Sequence, residues 1–551
     1  MHEIFTQKTA LADFDRIHCI EGFEHISNEY STYLSDESKL SPEPFSYLFF
    51  PKDETELATI LRIMSDRKIG VTIAGARTGL AGGCVPQKGA LISLENFDQI
   101  QRVFYDNAAG EWRIQLQCAV TLRSLNEQIT LKNFPEIERC GNPEALTSLK
   151  RFKQDASRYI YPPDPTEMSA SIGGTVATNA SGACTFRYGP TRSWVRGLRV
   201  MLPNAEILNI PRGKYFASSS GEFIICDSKG NRSTIRLPSY QMPRTKNAAG
   251  FFTAPHMDLI DLFIGSEGCI GIITEVIVAL LEHTDKISIV QFLKSDEHAI
   301  DLVNSLRDKK PCQFDFIEFY SGSALDLLRQ RQMQEPKSVD MPPIPEQAKA
   351  ALFFEFDFNP LAENYDFAAL QKTLNGCNAS ISDSWAAYEK RELMRLKNFR
   401  HVLPETINGI IADRKKNHPT LHKLGTDLAV PDEHLSDMWQ IYKSTLDRSN
   451  LQWVAFGHIG NNHLHINILP RNETELQDGL KIYKQLAAKA VKFGGSISAE
   501  HGIGKLKIKF LEQMYSPEQI NEMKAVKLTI DPDFLLNPGN IFAIDKDLQL
   551  Q

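Results

Sequence analysis

The spacing of apolar residues near the start of the chain predicts one helix followed by two short strands. Apolar positions recur at helical intervals from Asp53, a capping residue, to Met64, and Gly70 is expected to end this helix. Mostly apolar runs at 71–74 and 90–94 then predict strands. The first of these strands runs directly into a glycine-rich turn.

The pattern changes near residue 285, where strands and helices begin to alternate. The predicted elements are strands at 287–293, 313–320 and 351–358 and helices near 296–308, 384–402 and 432–448. A stretch rich in Gln, Pro and charge at 329–349 predicts an exposed loop. This alternation predicts an α+β unit that follows a first domain of strands and loops.

Composition places the chain among folded globular proteins. Of its 551 residues, 42% are hydrophobic and 23% are charged, and this length corresponds to about two to four domains. The 61 Lys and Arg residues and 68 Asp and Glu residues give a net charge of −7. There is thus no overall cationic field to hold nucleic acid or an anionic membrane.

The cysteines and the apolar segments exclude further classes. Nine cysteines, odd in number and widely spaced, disfavour a zinc ribbon, an iron–sulfur cluster and a disulfide scaffold. The first fifteen residues show no pattern of a secretory signal, and the apolar stretch 270–281 is too short to span a bilayer. We therefore expect a soluble, cytoplasmic protein.

Three loops rich in glycine and small residues indicate a long ligand. The segment 74–83 holds four glycines directly after a strand, and similar loops occur at 172–182 and 265–274. Such turns expose backbone N–H groups and let a diphosphate approach closely. The first loop is neither G-x-G-x-x-G nor a P-loop, and taken alone it is equally well explained as a tight strand connection.

A histidine-rich hairpin indicates a metal site. If 453–468 forms strand, turn and strand, alternation places His463, His465 and Asn467 on one face and the turn brings His458 back towards it. A polar strand face or a satisfied buried histidine is the alternative. Two histidines with a carboxylate, such as Glu500, would form a catalytic-type site for Zn²⁺ or another first-row ion.

These motifs, in this order, resemble the FAD-linked D-2-hydroxyacid dehydrogenases among the vanillyl-alcohol-oxidase-type (PCMH-type) flavoproteins. That family includes D-lactate and D-2-hydroxyglutarate dehydrogenases and a glycolate oxidase subunit, and the resemblance runs from about Pro51 to Gly539. It implies an α+β fold: a two-subdomain PCMH-type FAD-binding domain, a cap domain with a ferredoxin-like antiparallel sheet, and a C-terminal segment returning to the FAD domain. The expected boundaries are 1–44 for an N-terminal extension, 45–284 for the FAD-binding domain, 285–450 for the substrate or cap domain, and 451–551 for the C-terminal part carrying the metal and active-site motifs.

The resemblance implies that the glycine-rich loops bind FAD. No His or Cys lies in the first loop, where related oxidases tether their flavin, so FAD is expected to be non-covalent. Arg77 stands where the family pattern has a glycine, and its role is open between pairing with the pyrophosphate and facing solvent. The implied cofactor-binding residues are Ala74, Gly75, Ala76, Arg77, Thr78, Gly79, Leu80, Gly83, Pro163, Asp164, Ser171, Gly173, Gly174, Thr178, Asn179, Gly182, Tyr188, Glu267, Gly271, Ile272 and Asn540.

The resemblance also implies roles around the metal. The implied ligands are His458, His465 and Glu500, and the implied substrate and proton-transfer residues are His501 as proton acceptor, Arg400 as carboxylate clamp, Asn467 and Lys423. At 461–463 the family reads Asp-Gly-Asn, whereas this chain reads Asn-Asn-His. Whether His463 is a third nitrogen ligand is therefore open, and the metal is expected to be Zn²⁺, with Mn²⁺ and Fe²⁺ as alternatives.

The expected reaction is oxidation of a D-2-hydroxy acid, such as D-lactate or D-2-hydroxyglutarate, to the 2-oxo acid with hydride transfer to flavin N5. Electrons would pass to an external acceptor: a quinone, an electron-transfer flavoprotein, a cytochrome or a partner subunit. The alternatives are a metal-dependent hydrolase, a non-redox ether-lipid (alkylglycerone-phosphate) synthase and a flavin-binding protein without turnover. Peripheral membrane contact, a homodimer and the identity of the substrate side chain are left open.

Overall fold

A computed structural model of the chain describes residues 3–335, 340–358 and 367–543. The first part is rich in strands. Its strands are β1 (Glu3–Phe5), β2 (Gln7–Lys8), β3 (Cys19–Glu21), β4 (Tyr47–Phe49), β5 (Val71–Ala74), β6 (Ala90–Ser93), β7 (Ile100–Asp106), β8 (Glu111–Gln117), β9 (Tyr159–Ile160), β10 (Val195–Met201), β11 (Glu206–Pro211), β12 (Glu222–Cys226), β13 (Arg232–Arg236), β14 (Ile272–Ala279) and β15 (Leu281–Glu282). Its helices are α1 (Phe23–Glu29), α2 (Glu54–Asp66), α3 (Leu122–Leu131), α4 (Pro135–Cys140), α5 (Pro143–Gln154), α6 (Ile172–Ala177), α7 (Thr185–Tyr188) and α8 (Ile260–Phe263).

Two sheets organise this first part. One has the order β3-β4-β6-β5, in which β4 and β5 both run parallel to β6. The other has the order β2-β11-β10-β14-β8-β7 and is antiparallel throughout, with every second residue of β8 buried. That alternation is typical of a strand with one face in the core.

The second part combines one larger sheet with longer helices. Its strands are β16 (Lys286–Leu293), β17 (Phe314–Tyr320), β18 (Ala350–Asp357), β19 (Ser384–Ala387), β20 (Leu424–Gly425), β21 (Leu428–Ala429), β22 (Trp453–Gly457) and β23 (His463–Ile468). Its helices are α9 (Asp296–Lys309), α10 (Gly322–Gln334), α11 (Ala368–Gly376), α12 (Lys390–Lys415), α13 (Leu435–Asp447), α14 (Glu473–Lys492), α15 (Ile508–Met514) and α16 (Pro517–Ile530).

The histidine hairpin belongs to this larger sheet. The strand order is β19-β16-β18-β17-β22-β23-β20, and β21 also pairs with β23. The sheet therefore extends across the expected boundary at residue 450, and the domain boundaries themselves stay a prediction. The C-terminal segment returns to the first part, where Leu535 and Asn537 exchange backbone hydrogen bonds with Val71 of β5 at 2.7 Å.

Local predictions were mostly confirmed, with two differences. Strand β5 has the predicted bounds, and the Asp53 side chain caps α2 as expected. The helix predicted at 384–402 is wrong at its start, because 384–387 pair with β16 and the helix begins at Lys390. The exposed loop predicted at 329–349 is also wrong in part: α10 continues to Gln334, and residues 341 and 344 are buried. Residues 336–339 lie outside the described part.

Candidate active site

The glycine-rich loops line one long groove that encloses about 1670 Å³ of space outside protein atoms, part of it open to solvent. At two positions of the groove the close packing leaves no room for a larger side chain than glycine. A Cβ on Gly75 would lie 2.5 Å from Ser171 Oγ, and a Cβ on Gly173 would lie 2.5 Å from Cys118 Cβ. The predicted cofactor residues that line the groove are Gly75, Ala76, Arg77, Thr78, Gly79, Leu80, Gly83, Ser171, Gly173, Gly174, Thr178, Glu267, Gly271, Ile272 and Asn540.

The other predicted cofactor residues are not among the residues lining the groove; they are Ala74, Pro163, Asp164, Asn179, Gly182 and Tyr188. Three of these residues form hydrogen bonds that hold the neighbouring loops in place. Asn179 Oδ1 accepts from the amide of Arg192 at 3.0 Å, and Asp164 Oδ1 accepts from the amide of Cys184 at 2.9 Å. The hydroxyl of Tyr188 donates to Asp315 at 3.1 Å.

The N-terminal extension also reaches the groove, which the sequence did not indicate. Arg77, which lines the groove, has a φ of 58°, and its guanidinium lies 4.2 Å from the centre of the Tyr33 ring. Asp36 lines the groove as well and accepts a hydrogen bond from the amide of Ser38 at 2.9 Å. Arg77 is thus anchored on an aromatic ring at the edge of the groove.

The hairpin of β22 and β23 brings metal-ligating atoms together. Only glycine fits at residue 457, where φ is 122° and a Cβ would lie 2.7 Å from the His465 ring. One ligand atom from each of His458, His463, His465 and Glu500 lies within 4.8 Å of all the others. Three imidazoles and a carboxylate at these separations suit a first-row divalent ion.

Glu500 lies at the centre of this cluster. Its Oε1 is 3.2 Å from His458 Nε2 and 3.7 Å from His463 Nδ1, and its Oε2 is 3.9 Å from His465 Nε2. The Lys246 ammonium donates to the same carboxylate. Burial alone would raise the pKa of Glu500, but Lys246 and His458 reverse this and hold that pKa well below its ordinary value. Glu500 is therefore anionic.

A second buried carboxylate, Asp427, holds both His501 and His463. Its Oδ2 is 3.2 Å from His501 Nδ1, and its Oδ1 is 3.1 Å from His463 Nε2. It also accepts from the Lys507 ammonium at 2.6 Å and from the amides of Glu500 and His501, both at 3.1 Å. Because Asp427 engages Nδ1 of His501, Nε2 is the other ring nitrogen, the one that Asp427 does not engage. His501 also lines the groove.

Arg400 lies beside the cluster but already contacts a carboxylate. Its Nε is 3.1 Å from Glu318 Oε2, and Glu318 Oε1 is 3.1 Å from His458 Nδ1. Burial alone would lower the pKa of Arg400, but Glu318 and Asp164 reverse this and raise it. Arg400 is not among the residues lining the groove. Because it already pairs with Glu318, a substrate carboxylate bound to it would have to share it with that residue.

The remaining two predicted residues, Asn467 and Lys423, differ in burial. Asn467 is buried in β23, and its Nδ2 donates to the carbonyl of His465 at 3.1 Å, whereas Lys423 is exposed. The lysines that pair with carboxylates of the site are instead Lys246, which pairs with Glu500, and Lys507, which pairs with Asp427; neither was predicted. Lys507 lies six residues beyond His501 and could have been found from that motif, but Lys246 precedes Glu500 by 254 residues and carries no local signal.

Comparison with known protein families finds two matches along the chain. Residues 45–138 and 147–211 match the FAD binding domain family, and residues 283–541 match the C-terminal domain of the FAD linked oxidases. The chain therefore carries an FAD binding domain and an FAD linked oxidase C-terminal domain, and it is an FAD-dependent oxidoreductase. Its mixed helix and strand content fits the PCMH-type FAD-oxidase fold.

Individual relatives share modest identity over nearly the whole chain. A D-2-hydroxyglutarate dehydrogenase of Stutzerimonas stutzeri is 27% identical over 94% of this chain and 95% of its own length. The glycolate oxidase subunit GlcD of Bacillus subtilis is 26% identical over 90% and 88%. A D-lactate dehydrogenase of Anaerostipes hadrus is 27% identical over 88% and 87%.

The fold is also similar to a solved structure of alkyldihydroxyacetonephosphate synthase. The TM-score is 0.58 at 13% identity, with 97% of this chain and 88% of that chain covered. At this identity the similarity concerns the fold alone. Within the described residues, no helix combines the length and apolar character needed to cross a membrane.

Proposed function

We propose that this protein oxidises a D-2-hydroxy acid to the 2-oxo acid, with FAD as hydride acceptor and a divalent metal orienting the substrate. The observation that carries the proposal is that His458, His465, Glu500 and His501 line the same groove as the glycine-rich loops. A hydrolase built on the metal cluster would have no use for those loops. The names of the relatives support a 2-hydroxy acid as the substrate class.

The groove fits a non-covalently held FAD. Glycine backbone at 75, 79 and 83 faces it, which leaves room for a diphosphate. Two cysteines, Cys84 and Cys118, also line it, but both are held as thiols. Burial, with Asp36 nearby, raises the pKa of Cys84 to about 12, and burial raises the pKa of Cys118 to about 12. Neither is a ready nucleophile for a flavin tether.

The cluster fits a divalent metal held by His458, His465 and Glu500. Burial and the neighbouring His463 hold the pKa of His465 well below its ordinary value, so its ring is neutral, the form that binds metals. His458 is oriented by Glu318, as the ligating histidines of metal sites commonly are. A set of imidazoles with one carboxylate favours Zn²⁺ over Mg²⁺ or Ca²⁺.

The charges of the site favour an anionic substrate. Three cations, Lys246, Lys507 and Arg400, are each paired with one carboxylate, from Glu500, Asp427 and Glu318 respectively. A divalent ion would add two positive charges to this balanced set. The carboxylate of a 2-hydroxy acid would offset part of that excess.

When bound, FAD supplies a hydride acceptor and the metal a Lewis acid for the substrate hydroxyl. The chain's own residues then provide proton transfer and orientation. His501 accepts the hydroxyl proton at Nε2, because Asp427 holds Nδ1. The C2 hydrogen leaves with both bonding electrons as hydride, and the C2–O bond becomes the carbonyl of the 2-oxo acid. Arg400 and Asn467 are proposed to orient the substrate, and the electrons pass on to an external acceptor.

A D-2-hydroxy acid is expected to bleach the flavin absorbance of the holoenzyme under anaerobic conditions. The D and L enantiomers of lactate and 2-hydroxyglutarate are compared, and only D forms should reduce the flavin. Dithionite provides the control that the flavin is reducible. A reducible flavin that no 2-hydroxy acid bleaches would contradict the proposal, and a preparation without flavin would favour the hydrolase.

Removal of the metal is expected to slow this bleaching by at least about 100-fold, because a Lewis-acid contribution of several kcal/mol is lost. The holoenzyme is treated with a chelator, and bound metal and bound flavin are both measured. Flavin content should not change, and adding Zn²⁺ or Mn²⁺ should restore the rate. Full-rate bleaching by enzyme whose metal has been removed would show that the cluster takes no part in the reaction.

A further inference from the structure

His463 belongs to the cluster of metal-ligating side chains but does not line the groove. It is the first residue of β23 and is completely buried. Its ring centre lies 4.5 Å from that of His465 and 5.6 Å from that of His458. The groove is lined by His458, His465 and Glu500 but not by His463. His463 is therefore an inner member of the cluster.

The two ring nitrogens of His463 have different surroundings. Nε2 lies 3.1 Å from Asp427 Oδ1, whereas Nδ1 points into the cluster, 3.7 Å from Glu500 Oε1. Both nitrogens are buried and neither makes a hydrogen bond of good geometry within the described residues, but Nε2 has a carboxylate oxygen at 3.1 Å, whereas the Glu500 oxygen that faces Nδ1 is 3.7 Å away. Burying an unpaired polar nitrogen is costly, so Nδ1 is expected to have a partner in the working protein.

His463 has the same relation to Asp427 as His458 has to Glu318. In each case one ring nitrogen faces a buried carboxylate at 3.1 Å and the other faces Glu500. Carboxylates placed in this way orient histidines that bind metals and make them more basic. The residue is thus equipped for coordination in the same way as a ligand already proposed.

We infer that His463 is a third imidazole ligand, binding the metal through Nδ1. This inference rests on the proposed function, which requires a metal at this cluster. The protein would then supply three nitrogens and one carboxylate oxygen, and the three ligands that line the groove, where the substrate would bind, are His458, His465 and Glu500. Such a donor set favours Zn²⁺, Co²⁺ or Fe²⁺ over the harder Mg²⁺ and Ca²⁺.

X-ray absorption of the Zn²⁺-loaded holoenzyme counts the imidazoles bound to the metal. Three are expected in the wild-type protein and two in His463→Asn. His422→Asn, which changes an exposed histidine, is the matched control and should keep three. Flavin content and circular dichroism show whether each variant is folded. If His463→Asn does not fold, the number of imidazoles bound to the metal in the wild-type protein is sufficient to test the inference.

Titration with Co²⁺ gives a second readout that does not depend on turnover. We expect the variant His463→Asn to bind Co²⁺ at least about 100-fold more weakly than the wild-type protein and to change the visible Co²⁺ spectrum, because it loses an inner ligand. Two imidazoles in the wild type, or an unchanged Co²⁺ spectrum in the variant, would overturn the inference while leaving the proposed function intact. A wild-type protein that binds no metal would overturn both.

Discussion

Asp427→Asn is expected to slow substrate-driven flavin reduction by about 10³–10⁴-fold, the order found when the carboxylate that orients a catalytic histidine is replaced by an amide. Asp427 holds His501 Nδ1 at 3.2 Å and His463 Nε2 at 3.1 Å. An asparagine can still accept one hydrogen bond, but it cannot balance the charge of an imidazolium. Proton transfer and the metal centre would therefore be affected together.

The same substitution is expected to lower the free energy of unfolding by about 3–5 kcal/mol, because it leaves a nearly buried ammonium without its carboxylate. Lys507 lies 2.6 Å from Asp427. Burial alone would raise the pKa of Asp427, but His501 and Lys507 reverse this and hold it well below its ordinary value. The ion pair is thus fully formed at neutral pH.

A matched control separates these two effects. Asp531 is likewise completely buried, pairs with the ammonium of Lys527, and accepts from the amides of Leu535 and Leu536 at 2.9 and 2.8 Å. Asp531→Asn should lose similar stability, measured by urea unfolding, yet reduce its flavin at the wild-type rate per bound flavin. Equal activity losses in both variants would mean that Asp427 has only a structural role.

Local patterns were enough to predict the parts of the site that lie within one segment. The alternation of 463–468 placed three polar side chains on one face, and β22 and β23 form that hairpin. The glycine-rich loops were recognised because each carries its signal in a few adjacent residues. These features depend on backbone geometry, which nearby residues determine.

Long-range pairs were not predictable in the same way. Glu318 pairs with both Arg400 and His458, and the sequence near either of those residues does not indicate this pairing. Lys246 lies in a loop and Tyr33 ends a short 3₁₀ helix, and the sequence around neither residue indicates that it reaches the site. Tertiary packing brings such partners together from distant parts of the chain. A charged residue that the sequence predicts to bind substrate can therefore already be paired with another residue of the protein.

His501→Ala is expected to lower kcat by about 10²–10⁴-fold, the range for loss of a general base, with little change in KM. His501 is not among the four residues that bring ligand atoms together, so the variant should keep both its metal and its flavin. His465→Ala, which removes a proposed ligand, should instead lose the metal. Comparing metal content in the two variants therefore separates proton transfer from metal binding.

Chemical rescue gives the sharper measurement. Removing the His501 ring leaves space beside the groove, and Asp427 remains there to hold a small base. Added imidazole should therefore raise the rate of flavin reduction in His501→Ala but not in His465→Ala, where the missing component is a ligand. Near-normal turnover of flavin-replete His501→Ala without imidazole would remove His501 from the mechanism, and proton transfer would then have to be assigned to another group in the groove.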